Sequence, residues 1–262
     1  MNLKEKLWIW GQDAGTHHLV LNNAWNLPGE NKMGPVEGAN YLGIPNMCRV
    51  AMGNKPEPPF DNEMEKLKNF DNVVWSIIGD NGSNRNDTGG SDLEAVIALS
   101  KRFDNLVGGI MDDFFSPKRM AVYTPEVIGE YTKALHEAGL KLWTVYYEHQ
   151  LELDLSAWLE HCDVITFWTW SAENLSKLEE NLTKLEGQLT KGQKIYAGCY
   201  MYDYGNCKEM PADAMQYQLE IYKKWLQEGR IEGIIICSNC IADIGLEAVD
   251  VTRKWIADNR EI

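Results

Sequence analysis

No apolar run in this sequence is long enough to cross a bilayer: stretches such as Ile234 to Cys237 fall far short of the roughly 20 residues a spanning helix needs. Residues 1–10 lack the long apolar stretch of a signal peptide, so no membrane partner is expected and the default expectation is a soluble, cytoplasmic chain. Basic clusters are missing as well. The formal net charge of −14 repels a phosphate backbone, and no concentration of Lys and Arg interrupts it, so nucleic acid is not an expected partner. A disulfide framework is not needed either. The six cysteines (Cys48, Cys162, Cys199, Cys207, Cys237, Cys240) are scattered through a chain large enough to fold without staples, and reduced thiols are the expectation.

What is present is enough apolar matter for a large core, 44% of residues, arranged in a repeating pattern. Short β-rich apolar runs alternate with longer segments of helical period, as parallel βα units require. The runs are Leu7 to Gly11, Asn46 to Met52, Asn72 to Ile78, Leu106 to Met111, Leu140 to Tyr147, Asp163 to Trp170, Lys194 to Tyr202 and Ile231 to Cys237. Each is followed by a helical candidate, and the first is separated from its helix by a long polar loop through Asn26, Pro28, Gly29 and Gly34. Eight units with nothing left over predict a single (β/α)8 barrel domain over residues 1–262, close to the roughly 250 residues such a barrel needs. An open doubly wound sheet would normally use fewer strands.

In a barrel, polar residues just beyond the strands converge on one rim, at the strands' C-terminal ends. That rim collects Asp13, His17 and His18, Arg49, Asp80 and Asn81, Asp112 and Asp113, Glu148 and His149, Trp168 and Trp170, Asp203 and Asn239. Carboxylates and aromatics dominate it, and both suit carbohydrate. Sugar rings lay C–H faces on aromatic planes while their hydroxyls need paired donors and acceptors. Trp168, Trp170, Tyr146, Tyr147, Tyr200, Tyr202 and Tyr204 are candidates for such a lining, with His17, Arg49, Asp80 and Asn239 as further binding candidates.

The sharpest feature is Asp112-Asp113 at the end of an apolar strand, because adjacent acids are costly to bury unpaired. Glycosidic cleavage needs one carboxyl group held protonated and a second that stabilises or attacks the anomeric carbon; closely placed acids push their pKa values apart. Glu148 is a second candidate: it falls in step with Thr144 and Tyr146, so if those face the barrel interior it does too. Asp203, among Tyr200, Tyr202 and Tyr204, is a third, and either would pair with the aspartates in an ordinary two-carboxylate mechanism. Arg49, if buried, needs a nearby carboxylate or ligand.

The segment Gly-Ile-Met-Asp-Asp-Phe at the end of the fourth strand resembles the Asp-Asp pair of the O-GlcNAc hydrolase group of hexosaminidases, over about a dozen residues. More broadly the chain resembles glycoside hydrolase barrels. The resemblance implies a retaining, substrate-assisted hydrolase of 2-acetamido sugars in which Asp112 orients the acetamido group and Asp113 is the general acid/base, with no metal or cofactor. Two other readings compete. A metal-dependent sugar isomerase or epimerase would gather Glu148, His149, Asp112, Asp203 and His17 around a divalent ion, although no spacing motif demands it. A non-catalytic carbohydrate-binding barrel would keep the aromatic rim without needing an acid pair. Cys237-x-x-Cys240 with Cys199 and Cys207 lacks the paired knuckles of a zinc site, and the last two loops lack a glycine-rich phosphate cradle.

Overall fold

The structure is a computed structural model that describes residues 2–20 and 22–260. Eight parallel strands close into a barrel: Leu7–Gly11, Asn46–Arg49, Asn72–Ile78, Leu106–Met111, Lys141–Tyr147, Val164–Trp168, Lys194–Tyr200 and Gly233–Cys237. The last strand pairs with the first, Trp8 opposite Ile235 and Trp10 opposite Cys237, so no edge is left open. Helices return the chain from each strand to the next, the longest being Pro125–Glu137, Leu178–Gln188, Ala212–Glu228 and Glu247–Asp258. Among the described residues, no helix is long and apolar enough to cross a membrane.

Local chemistry explains the boundaries. Pro125 occupies the first turn of its helix, where its missing N–H costs nothing, and Gly229 ends the helix Ala212–Glu228 in the left-handed conformation that glycine adopts without a Cβ penalty. Three strands stop earlier than the apolar runs suggest, the sixth at Trp168 rather than Trp170. The second ends at Arg49, before a loop containing cis Lys55-Pro56 and cis Pro58-Pro59. The seventh ends at Tyr200, because Tyr202–Asp203 leaves the barrel to pair with Lys208–Glu209 in a small antiparallel hairpin.

Aromatic rings fill the barrel interior, opposite positions with no side chain. Trp8, Trp143 and Tyr196 form the lower layer, with ring centroids 4.5–5.8 Å apart. One layer higher, Trp10 and Trp168 meet at 5.1 Å, and Gly198 makes room for the second indole: a Cβ there would lie 2.0 Å from its ring. The lower barrel is therefore a packed core, and open volume remains only towards the strands' C-terminal ends.

These layers also fix which side chains point inwards. Register carries the inward parity from Trp10 to Cys48, Val74 and Gly108, and Trp143, paired with Ile110, continues it through Val164 and on to Cys237. In the fifth strand the inward residues are therefore Trp143, Val145 and Tyr147. Tyr146 faces outwards against Phe115 and Phe167, which reverses the alternation expected for Glu148. A one-residue error in parity moves every later side chain to the other face.

Candidate active site

Continuing that parity past each strand gives eight residues: Gln12, Met52, Asp80 and Asp112 on one side of the mouth, Tyr147, Trp170, Tyr200 and Cys237 on the other. All eight border a single cavity of about 580 Å³, whose floor is Trp10, Val145 and Trp168. That volume lies within the range of small-ligand sites.

Asp112 and Asp113 both line it, but for different reasons. Asp112 follows the strand alternation. Asp113 would face outwards if the strand continued; instead it takes a left-handed φ of 45°, and its carboxylate turns onto neighbouring loops. There Oδ1 accepts the Tyr147 hydroxyl at 2.8 Å and Oδ2 accepts the Asn81 backbone N–H at 3.2 Å. Aspartate tolerates this conformation better than most residues, so sequence and backbone agree.

The electrostatics separate the two acids. Burial first, then the charges of Asp113 and Asp80, hold the Asp112 carboxyl well above the ordinary carboxylate range. Asp113 is also raised, chiefly by burial, but the bonds from Tyr147 and Asn81 favour its charged form. Asp112 is thus the better holder of a shared proton. Tyr147 and Tyr200 are pushed well above the usual phenol range, mainly by burial, and remain protonated donors.

Beneath the pair sits a buried cation that the sequence did not single out. Arg119, in the short helix Pro117–Met120, donates to the carbonyls of Gly79 and Asp80, both at 2.6 Å, and of Asp112 at 2.7 Å. Its guanidinium clamps the ends of the third and fourth strands together from below. Asp80, on the first of these, accepts Ser83 Oγ–H at 2.7 Å and the Gly53 N–H at 3.0 Å, which fixes its carboxylate at the cavity wall.

Across the cavity, His17 bridges two partners: Nε2 lies 2.5 Å from Gln12 Oε1 and Nδ1 lies 2.8 Å from the Tyr204 hydroxyl. Burial, with a smaller contribution from His18, lowers its pKa to about 3 and keeps it neutral. Trp25, from the long first loop, closes the wall edge-on to Tyr204 at 5.0 Å and to Trp170 at 6.4 Å.

Of the residues singled out in the sequence, the cavity brings together Asp112, Asp113, Asp80, Asn81, His17, Tyr147, Trp168, Trp170, Tyr200 and Tyr204. Outside it lie Asp13, His18 and His149, together with six further candidates whose polar atoms are bound by protein. Glu148 accepts the Trp170 N–H with both oxygens, at 3.0 and 3.1 Å, and so orients a cavity wall from behind. Asp203 is fully buried, accepting the backbone N–H of Ala172 at 3.2 Å and the Asn206 side chain at 3.0–3.1 Å, and organises the turn that carries Tyr204. Arg49 finds the carboxylates its burial demanded, in Asp13 and Glu63. Tyr146 donates to the Gln150 carbonyl, and Tyr202 to the Trp25 carbonyl at 2.7 Å, tethering the loop that brings Trp25 in. Asn239 bonds both backbone groups of Gln12, at 2.8 and 2.9 Å.

The set required for a metal-dependent isomerase is consequently not assembled. Glu148 and Asp203 serve backbone donors, and His149 is exposed, stacked on Tyr147. Among the described residues no group of three or more His, Cys, Asp or Glu is placed to hold a metal ion, and the six cysteines are unpaired.

Gln12, Trp25 and Arg119 escaped sequence reasoning. Counting by twos from Trp8 and Trp10 would have reached Gln12. Nothing periodic marks Trp25 or Arg119, which belong to irregular loops.

Neither a family model nor a curated protein matches the sequence. Among solved structures, the chain is similar to the spore cortex-lytic enzyme SleL of Bacillus megaterium, at 11% identity and a TM-score of 0.63, over 98% of this chain and 74% of that one. A chitinase from Chromobacterium violaceum matches at 10% identity and 0.58, over 95% of this chain and 98% of its own. YKL-39, solved in the presence of chitooligosaccharides, matches at 8% and 0.61, over 95% and 98%. A tryptophan synthase from Pyrococcus furiosus shares the barrel as well, so at these identities the likeness establishes the fold.

Proposed function

We propose that this barrel is a glycoside hydrolase whose reacting groups are Asp112 and Asp113. The observation that carries the reading is the pair itself: two consecutive acids facing one aromatic-walled cavity, both with raised pKa values. A carboxyl group that stays protonated near neutral pH can donate to a leaving oxygen, and a partner whose charge is favoured by hydrogen bonds can act on the developing cation or on a neighbouring acetamido group. Trp168, Trp170 and Tyr200 offer faces for a sugar ring. The fold neighbours SleL and the chitinase are compatible with this reading.

We further propose that the reaction retains anomeric configuration, with a 2-acetamido group as internal nucleophile. The resemblance gives the donor role to Asp113. The free site favours Asp112 instead, because Asp112 is the more buried of the two and Asp113 alone receives a hydroxyl bond, and we adopt that assignment.

A panel of aryl glycosides, including N-acetylglucosaminides and galactosides, tests both levels. Each Asp→Asn variant should lose roughly 10²-fold or more in kcat/KM on poor leaving groups. The variant lacking the donor should recover on dinitrophenyl leaving groups, which need no proton. Recovery of Asp113→Asn rather than Asp112→Asn would return the donor role to Asp113, and NMR of the first-formed anomer reports the stereochemistry. A wild type that binds sugars but cleaves none, with both variants binding as tightly, would replace the hydrolase reading with a carbohydrate-binding barrel.

A further inference from the structure

Gln12 is held more completely than any packing role requires. Its backbone N–H and C=O are both bound by the buried carboxamide of Asn239, and its side-chain oxygen by His17. An amide oxygen can only accept, so His17 Nε2 carries the ring's one proton, and Nδ1 accepts from the Tyr204 hydroxyl. The histidine cannot reverse this order by titrating near neutral pH, since it stays neutral far below it. One group is left over. The Nε2 of Gln12 has no protein acceptor among the described residues; in a residue 97% removed from solvent it is a polar atom left open to the cavity. A donor left open to a ligand-sized cavity by an otherwise fully bonded side chain is placed to take its acceptor from a ligand.

The charges around it narrow that ligand. Asp80 and the proton-sharing pair Asp112–Asp113 line the same space with net negative charge, and the lysine at the wall, Lys55, is paired with Glu57 at 2.9 Å. Uronates and sugar phosphates are therefore repelled. At the Gln12 position itself, a pair of N–H groups presents positive partial charge and disfavours an ammonium group.

We infer that Gln12 is the specificity-determining residue of the cavity, its carboxamide N–H donating to an uncharged oxygen, a hydroxyl or carbonyl, of a neutral sugar. Tyr204, His17 and Asn239 are positioning residues that present this one donor. The inference rests on the glycosidase reading of the same cavity for its substrate, but not for its test.

The test uses the full-length chain, the aryl glycoside it hydrolyses best, and the set of analogues lacking one ring substituent oxygen each. Gln12→Glu keeps an acceptor for His17 and removes the donor. It should raise KM about tenfold or more, the loss of one hydrogen bond to a buried group, with kcat changed far less. One deoxy analogue should bind wild type about tenfold more weakly and lose that penalty in the variant, a coupling that a purely structural residue would not produce. Gln12→Met carries the same comparison if the glutamate variant does not fold. If every deoxy penalty survives in a folded Gln12 variant, or if a uronide is preferred to its neutral counterpart, the inference is wrong. If wild type cleaves no glycoside, the hydrolase reading fails by itself, and the comparison is repeated with dissociation constants of methyl glycosides and their deoxy analogues, read by tryptophan fluorescence.

Discussion

The Asp112 carboxyl is held well above the ordinary carboxylate range because the barrel removes it from water and, among the described residues, supplies no side-chain donor, the Arg119 guanidinium being directed at backbone carbonyls instead. The consequence for stability has a definite sign. An acid whose pKa is raised on folding binds more protons in the native than in the unfolded state between the two values, so stability falls as pH rises through that window. Asp112→Asn removes the effect. The variant should melt close to wild type at pH 4 and above it at pH 8, by about 2 °C or more for each pKa unit relieved in a chain of this size. Thermal melts of both proteins across that range decide it, and a variant less stable than wild type at pH 8 would mean that Asp112 is charged and well partnered. Adjacency of the two acids is visible in the sequence, but the left-handed turn at Asp113 that brings both to one space is not.

At the scale of elements, the site depends on loops being held to the barrel by buried polar groups. The third and fourth strand ends are joined by Arg119, and the first by Asn239. Lysine cannot replace that guanidinium, since a single ammonium does not reach three carbonyls in a fork. Arg119→Lys should therefore cost about 3 kcal/mol in urea unfolding, the combined effect of a poorly satisfied buried charge and freed carbonyls. It should also lower kcat on any substrate turned over, because Asp80 and Asp112 share the clamp. An unchanged urea midpoint would show that the loops hold without it. Helices and strands were legible from periodicity, because burial of one face imposes it. The clamp was not, because an arginine in a polar loop looks like a solvated one until the fold buries it.

For the whole molecule, two global properties matter, closure and charge. Closure abolishes sheet edges and forces all eight strand ends to one mouth, which makes a single cavity from residues as distant as Gln12 and Cys237. Charge works against the compact state. With a net charge of −14 the folded chain repels itself, and added salt screens that repulsion beyond about 8 Å at 0.15 M. The melting temperature should rise between about 10 mM and 300 mM sodium chloride at pH 7.5. A flat or falling response in scanning calorimetry would mean that surface ion pairs such as Arg230 with Glu186 outweigh the repulsion.

The sequence by itself determined the eightfold alternation, the sheet's parallel character and the adjacency of Asp112 and Asp113, all of which are local or periodic and need no partner to be read. It also held the aromatic bulk that the interior would need. The tertiary structure alone decided the side each residue faces: Tyr147 and Gln12 inwards, Tyr146 and Glu148 outwards. Side chains alternate with a period of two, so the sequence leaves two phases open in each strand. Only the packing of Trp8, Trp143 and Tyr196 against one another chooses between them.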